Sequence, residues 1–439
     1  MMKIGVVCLL AAPLAAQAPA LAPRAVPLAV LVREAEAANP AILAAQRTWR
    51  AARQKPSQAA ALPDPEFEFS TMNVGGPLPL TGLPDQMMGY AGLGVSETLP
   101  FPGKLRLRGE MARKAAAEAS QAVALTRRQV RAAVASAYDR ISGFQETLAL
   151  LGRDHGLLRT LAKIAAERYA VGHGNQADVL KAQLQLTELL AEQTVQQRER
   201  NTAEARLKQL LNRPLDSPDI KAERLTQSPA PPPPARMAAG LNENPALRAR
   251  ALETARRQLG VRLARRNFIP DLHVAYMYEA TGPGFPYRTG LSVGLSLPLF
   301  LRRKQGAALT EASENLAAAR DVYTEQRNQL AYQERQFFLQ ARADARLLHI
   351  YRGGLLPQSA ATWRSALTAY EAGREDFETV ITAFVAYQNL QERYWQTLAD
   401  HETALARLRE VVGAYRATPG AGAGPGAPAA ANGALGVEK

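Results

Sequence analysis

Residues 289–297 read Thr-Gly-Leu-Ser-Val-Gly-Leu-Ser-Leu, and their alternation decides the fold. Thr289, Leu291, Val293, Leu295 and Leu297 point one way, while Gly290, Ser292, Gly294 and Ser296 point the other. A period of two with one apolar and one small, polar face is a β-strand. Three other runs behave similarly. Tyr90–Leu99 gathers Ala91, Leu93, Val95 and Leu99 on one face, with Glu97 interrupting near its end. Glu66–Asn73 presents Phe67, Phe69 and Thr71, and Leu272–Tyr278 presents Val274, Tyr276 and Tyr278. The runs approach the ~9–11 residues that a tilted membrane strand needs. A soluble sandwich would alternate too, so the pattern alone leaves both readings open.

The isolation of these strands says more. Four are too few to close a membrane barrel, since barrels start at about eight, and lipid does not tolerate an open sheet edge. Membrane strands here require several chains to share one barrel, and three chains would supply twelve. The connections Val74–Met87 and Glu279–Pro286 are rich in Pro and Gly and fit exposed loops on the outer side.

The rest of the chain is helix-forming. From Lys104 to Ala170, and again from Arg303 to Tyr370, there is little Gly and almost no Pro. About 65 residues of helix reach about 100 Å, far beyond a compact domain. Val123, Val130, Val134, Tyr138, Ile141 and Leu148 recur at threes, fours and sevens, a coiled-coil-like seam. Returning helices are expected over Gln176–Asn212 and Phe377–Val412, with turns at Gly172–Gly174 and at Gly373. Gly152–Gly156 and Gly353–Pro357 fall at equivalent places and predict a break partway along each descending helix.

The chain is a duplication with a period of about 200 residues. Asn39-Pro40-Ala41-Ile42 recurs as Asn244-Pro245-Ala246-Leu247, and Pro63-Asp64 as Pro270-Asp271. Gly92-Leu93 through Leu99-Pro100 recurs as Gly290-Leu291 through Leu297-Pro298. Tyr169-Ala170-Val171-Gly172 recurs as Tyr370-Glu371-Ala372-Gly373. The expected organisation is a first copy over 39–226 (hairpin 104–212) and a second over 237–415 (hairpin 303–412). A Pro-rich linker at 227–236 separates them, and a Gly/Ala/Pro tail at 416–439 has a disordered composition. Lys3 followed by an apolar run from Ile4 to Ala16, with small residues at Ala16 and Ala18, reads as an export signal over about 1–18.

Among 439 residues the formal charge is +13, which invites a nucleic-acid partner. The Lys and Arg are instead spread along helical faces among Glu and Gln, as on a solvated surface, so no nucleic acid is expected. Cys8 is the only cysteine and lies inside the export signal, leaving no disulfide or thiolate site in the mature chain. His155, His173, His273, His349 and His401 show no ligand spacing, and no phosphate loop or nucleophile elbow appears. No enzyme activity, cofactor or metal site is expected.

Strand pair, long hairpin, strand pair, long hairpin: the chain resembles the TolC-type outer-membrane efflux proteins from Asn39 to about Tyr415. The motifs are the Asn-Pro openings, Leu99-Pro100-Phe101-Pro102-Gly103-Lys104, Leu297-Pro298-Leu299-Phe300 and the two hairpin ends. The resemblance implies a mainly α fold with a small β part, in a homotrimer. Four strands per protomer would join a shared twelve-stranded barrel in outer-membrane lipid, continued by a periplasmic helical tunnel. It also implies two partners, a periplasmic adaptor and an inner-membrane efflux pump. Carried over residue by residue, the adaptor-docking ends fall on Val171, Gly172 and His173, and on Ala372, Gly373 and Arg374. A constriction near the ends would involve Tyr169, Asp178, Tyr370, Asp376 and Glu378, although acidic residues also suit an ordinary helix start. The second copy departs from the pattern, with Thr379 and Thr382 where acids are expected. Pro77–Asp85, Met72, Met87, Met88 and the Pro100–Lys104 turn look closest to the heavy-metal branch. The alternative is a periplasmic coiled-coil adaptor or scaffold, which would carry one hairpin rather than two.

Overall fold

The computed structural model describes residues 25–72, 89–281 and 286–413. The export signal, Asn73, the whole 74–87 loop with Met87 and Met88, part of the second outer loop and the 416–439 tail lie outside the described residues.

Short helices α1 (Leu28–Ala38), α2 (Pro40–Ala52) and α3 (Lys55–Ala60) lead into strand β1 (Glu66–Met72) and strand β2 (Tyr90–Leu99). Helix α4 (Lys104–Ala170) and helix α5 (Gln176–Leu211) form the first long hairpin. The second half repeats the plan with α6 (Pro234–Asn242), α7 (Pro245–Arg266), β3 (Leu272–Thr281) and β4 (Arg288–Leu295). Its hairpin descends through α8 (Ala307–Ile350) and α9 (Leu356–Glu371) and returns as α10 (Phe377–Val412). Helix α4 has 67 residues, so it is about 100 Å long.

The four strands form one antiparallel meander in the order β1-β2-β3-β4, with β2 joining the first half to β3 of the second. Register puts Phe69 opposite Leu93, Leu93 opposite Tyr278, and Tyr276 opposite Leu291. One face therefore collects the apolar side chains and stays open: Phe67 is 83% exposed, Leu291 71% and Val293 64%. The other face carries Glu68, Ser70, Ser96, His273 and Ser292, where Thr98 and His273 lie 3.4 Å apart. Glu97 sits opposite Val274 on the apolar face. Strand β4 ends at Leu295 rather than Leu297, because after one last bond from the Ser296 N–H to the Asp271 carbonyl the Leu297 N–H turns back to the Leu295 carbonyl at 3.0 Å. Strand β3 instead runs on to Thr281, three residues past the expected end.

The expected paired breaks in the descending helices are corrected. Helix α4 passes through Gly152 and Gly156 without interruption. In the second half a π-helical turn, Tyr351–Leu355, separates α8 from α9. Glycine weakens a helix but keeps its N–H, whereas Pro357 cannot donate to the carbonyl four residues back, so only that copy must rearrange. A second π-helical turn, Leu301–Gly306, opens the second hairpin.

Each half closes on an asparagine. Asn39 accepts from the N–H groups of Ala41 (3.0 Å) and Ile42 (3.4 Å), capping α2, and its amide donates to the Leu210 carbonyl at 2.8 Å. Asn244 accepts from the Ala246 N–H at 2.8 Å, capping α7, and donates to the Val411 carbonyl at 2.7 Å. One buried side chain thus satisfies the start of one helix and the end of a long returning helix. The core is divided into clusters along the hairpins; one lies around Leu31, Ile42, Val134, Ile141 and Leu211.

Candidate functional site

The two hairpin ends are built alike. In the first, the Gly172 N–H donates to the Tyr169 carbonyl (3.1 Å) and the His173 N–H to the Arg168 carbonyl (2.9 Å). In the second, Gly373 donates to Tyr370 (2.9 Å) and Arg374 to Ala369 (2.9 Å). These are Schellman closures, and each needs a left-handed residue: Gly172 has φ +77 and Gly373 has φ +70. Val171, Gly172, His173, Ala372, Gly373 and Arg374 are all exposed. A side chain at Gly172 would meet nothing within 4 Å, so the glycine answers to its backbone angle and not to crowding.

The return helices start on different caps. Asn175 accepts from the Ala177 N–H at 3.2 Å, and Asp376 accepts from the Thr379 N–H at 2.8 Å. The Thr379 N–H holds the Asp376 carboxyl below its ordinary value. Asp376 is therefore a helix cap. Asp178 lies in the first turn of α5, half-buried. Glu378 accepts from Lys181 at 2.7 Å across the two hairpins, which raises the Lys181 ammonium above its usual value.

The two tyrosines differ. Tyr169 is 48% exposed, whereas Tyr370 is 4% exposed. Tyr370 packs edge-on against Phe377, with ring centroids 5.5 Å apart, beside a cluster containing Leu161, Ala165, Val380 and Phe384. The equivalent of Phe377 in the first copy is Gln176, which offers no ring. Arg168 joins the two ends: its Nη1 donates to the Tyr370 carbonyl at 2.6 Å, and its guanidinium lies 4.5 Å from the centre of that ring. Arg168 and Lys181 escaped the sequence reading. The available signal was asymmetry, because their counterparts are Ala369 and Thr382.

Among the described residues no group of His, Cys, Asp or Glu is arranged to hold a metal ion. No described helix is long and apolar enough to cross a membrane.

The outer membrane efflux protein family model matches residues 31–213 and again 239–414. The chain belongs to the outer membrane efflux protein family. The double match takes in one strand pair and one hairpin each time. No curated protein matches the sequence. Among solved structures, the chain is similar to the outer-membrane channel OprN at 18% identity, covering 88% of this chain and 89% of that one, with TM-score 0.77. It is similar to the outer membrane protein VceC from Vibrio cholerae at 18% identity, covering 88% and 96%, with TM-score 0.76. The open state of the Neisseria gonorrhoeae MtrE outer membrane channel aligns at 18% identity, covering 88% of each chain, with TM-score 0.73.

This efflux channel is a homotrimer of the outer membrane. Each chain gives four of twelve barrel strands, and the long hairpins form the periplasmic tunnel. The face bearing Phe67, Leu93, Leu291 and Val293 is the lipid face, and the face bearing Glu68, His273 and Ser292 lines the lumen. The single-hairpin adaptor alternative falls with the family match.

Proposed function

We propose that this efflux channel is the passive exit duct of a tripartite pump. Its hairpin ends dock a periplasmic adaptor that couples it to an inner-membrane transporter. The observation that carries the docking reading is the pair of exposed Schellman ends, Val171-Gly172-His173 and Ala372-Gly373-Arg374, presented side by side at the periplasmic end. A glycine there leaves backbone open to a close-approaching partner helix. The Arg168–Tyr370 and Lys181–Glu378 contacts supply the closure, holding the two hairpin ends together until the partner engages. Tyr169, Asp178, Asp376 and Glu378 ring the same end, with Tyr370 beneath the Arg168 guanidinium.

Cargo is set by the pump that feeds the duct. Heavy-metal cations are the first class to test, on the resemblance of Pro100-Phe101-Pro102-Gly103-Lys104 to the heavy-metal branch and on Met72, which ends β1 on the lumen face opposite Tyr90. The docking test replaces Gly172 and Gly373 together with large residues. Export is expected to stop while trimers still insert in the outer membrane. Unchanged export in cells that hold normal trimer levels would refute docking at these turns.

A further inference from the structure

At the periplasmic rim of the barrel the chain passes from strand to helix twice, and both junctions are basic. After β4 the sequence runs Leu297-Pro298-Leu299-Phe300-Leu301-Arg302-Arg303-Lys304. Leu297, Leu299, Phe300 and Leu301 are 62%, 79%, 70% and 48% exposed, and Arg302, Arg303 and Lys304 are exposed directly behind them. None of those three cations meets a carboxylate or another hydrogen-bond acceptor among the described residues. Arg108 in the first turns of α4 and Arg262 and Arg265 near the end of α7 are exposed near the same junctions.

The level of these groups follows from geometry. Three residues of the π-helical turn Leu301–Gly306 rise by less than the roughly 5 Å of an α-helix, within the depth of one headgroup layer beside the hydrocarbon core. Cations at this level stand among headgroups, just below lipid-facing Leu291, Val293 and Leu295. Direction follows from the turn itself: successive residues of the π-helical turn point well apart around its axis, so Arg302, Arg303 and Lys304 diverge and cannot all face the lumen. Apolar residues followed by unpaired cations make an interfacial anchor, in which long side chains extend their charge into the headgroup layer.

We infer that this rim is a cationic collar, centred on Arg302, Arg303 and Lys304, that binds anionic phospholipid headgroups of the periplasmic leaflet. The competing use of the same charges is an ion pair with the next protomer. The free edge of β4 meets the neighbour's β1 when the barrel closes, and that strand starts beside Asp64 and Glu66.

The test reconstitutes the trimer in nanodiscs of phosphatidylcholine doped with phosphatidylglycerol and counts co-purified lipids by native mass spectrometry. The parent is expected to enrich phosphatidylglycerol over the bulk, and added salt is expected to reduce the enrichment. R302Q/R303Q/K304Q is expected to lower phosphatidylglycerol retention about tenfold or more, since each charge at an anionic surface is worth about fivefold, with phosphatidylcholine unchanged. The charge-keeping R302K/R303K variant is expected to retain the parent's lipids, and free inorganic phosphate is expected not to compete. Salt-independent retention in the parent overturns the collar, as does equal retention in parent and triple variant. Trimers of the triple variant that fall apart in pure phosphatidylcholine, with lipid retention unchanged, would assign the charges to the protomer interface instead.

Discussion

Arg168 ties the first hairpin to the second: its Nη1 donates to the Tyr370 carbonyl at 2.6 Å while its guanidinium covers the Tyr370 ring at 4.5 Å. That carbonyl lies in the last turn of α9, where it also accepts from the Gly373 N–H and where a cation is favoured. Arg168→Ala removes the hydrogen bond, the helix-end charge and the ring contact together. Single-channel recordings are expected to show a higher conductance or more frequent openings than the parent. Lys181→Ala should act in the same direction but more weakly, because the Lys181–Glu378 pair is solvent-exposed. A parent-like conductance in R168A would show that the ends are held shut by something else.

Asn39 and Asn244 make the second prediction. Each caps one helix and satisfies a carbonyl at the end of another, and both are buried. Alanine at either position loses a cap worth about 1 kcal/mol and leaves a buried acceptor unpaired for about 1–3 kcal/mol. N39A and N244A are each expected to lower the apparent Tm of the purified trimer. The double variant should be additive, because the two sites share no contact. Aspartate should rescue only the capping half, since it accepts as asparagine does but cannot donate to Leu210 or Val411.

The junction between barrel and tunnel gives a third. Lys104 is 3% exposed and donates from Nζ to Asp271 Oδ1 at 2.8 Å and to the Ile269 carbonyl at 2.8 Å. The Phe101 N–H reaches the same carboxylate oxygen at 2.7 Å. Burial alone would raise the Asp271 carboxyl, but Lys104 and that N–H outweigh it and hold it below its usual value. Lys104→Met strands the carboxylate and the carbonyl at about 2–3 kcal/mol, so folded trimer yield should fall. Asp271→Asn should be milder. Because the carboxyl is depressed in the folded state, this contribution is lost in acid as pH falls below the ordinary carboxylate value.

How far the sequence could be read follows from the range of each interaction. The alternation in 289–297, the Asn-Pro openings and the turn glycines all act within a few residues, so the string displays them. The Arg168–Tyr370 tie joins residues 202 apart, and nothing local marks Arg168 among the many arginines of α4. The burial of Tyr370 against the exposure of Tyr169 likewise depends on Phe377 standing where the first copy has Gln176. The expected break at Gly152–Gly156 failed because two local signals of unequal strength, glycine and proline, were treated alike.

Toward the hairpin end of α4, Asp154 supplies a pH dependence of opposite sign to that of Asp271. It is 3% exposed, one of its carboxylate oxygens has no hydrogen-bond partner, and burial pushes its carboxyl up to about 6 against the opposing charge of Arg153. Glu392 on α10 is raised as well, by burial and by the charges of Glu192 and Asp154. A carboxyl raised in the folded state binds its proton more tightly there than in the unfolded chain. Its stabilising contribution is therefore fully present below the unfolded value and is lost as pH rises through about 6. The apparent Tm of the parent trimer should accordingly fall across that window. Asp154→Asn, which keeps the shape without the charge, should flatten the fall and raise stability at neutral pH by on the order of 1–2 kcal/mol. Thermal melts of both proteins at a series of pH values decide it, and parallel curves would show that Asp154 is hydrated within the assembled tunnel.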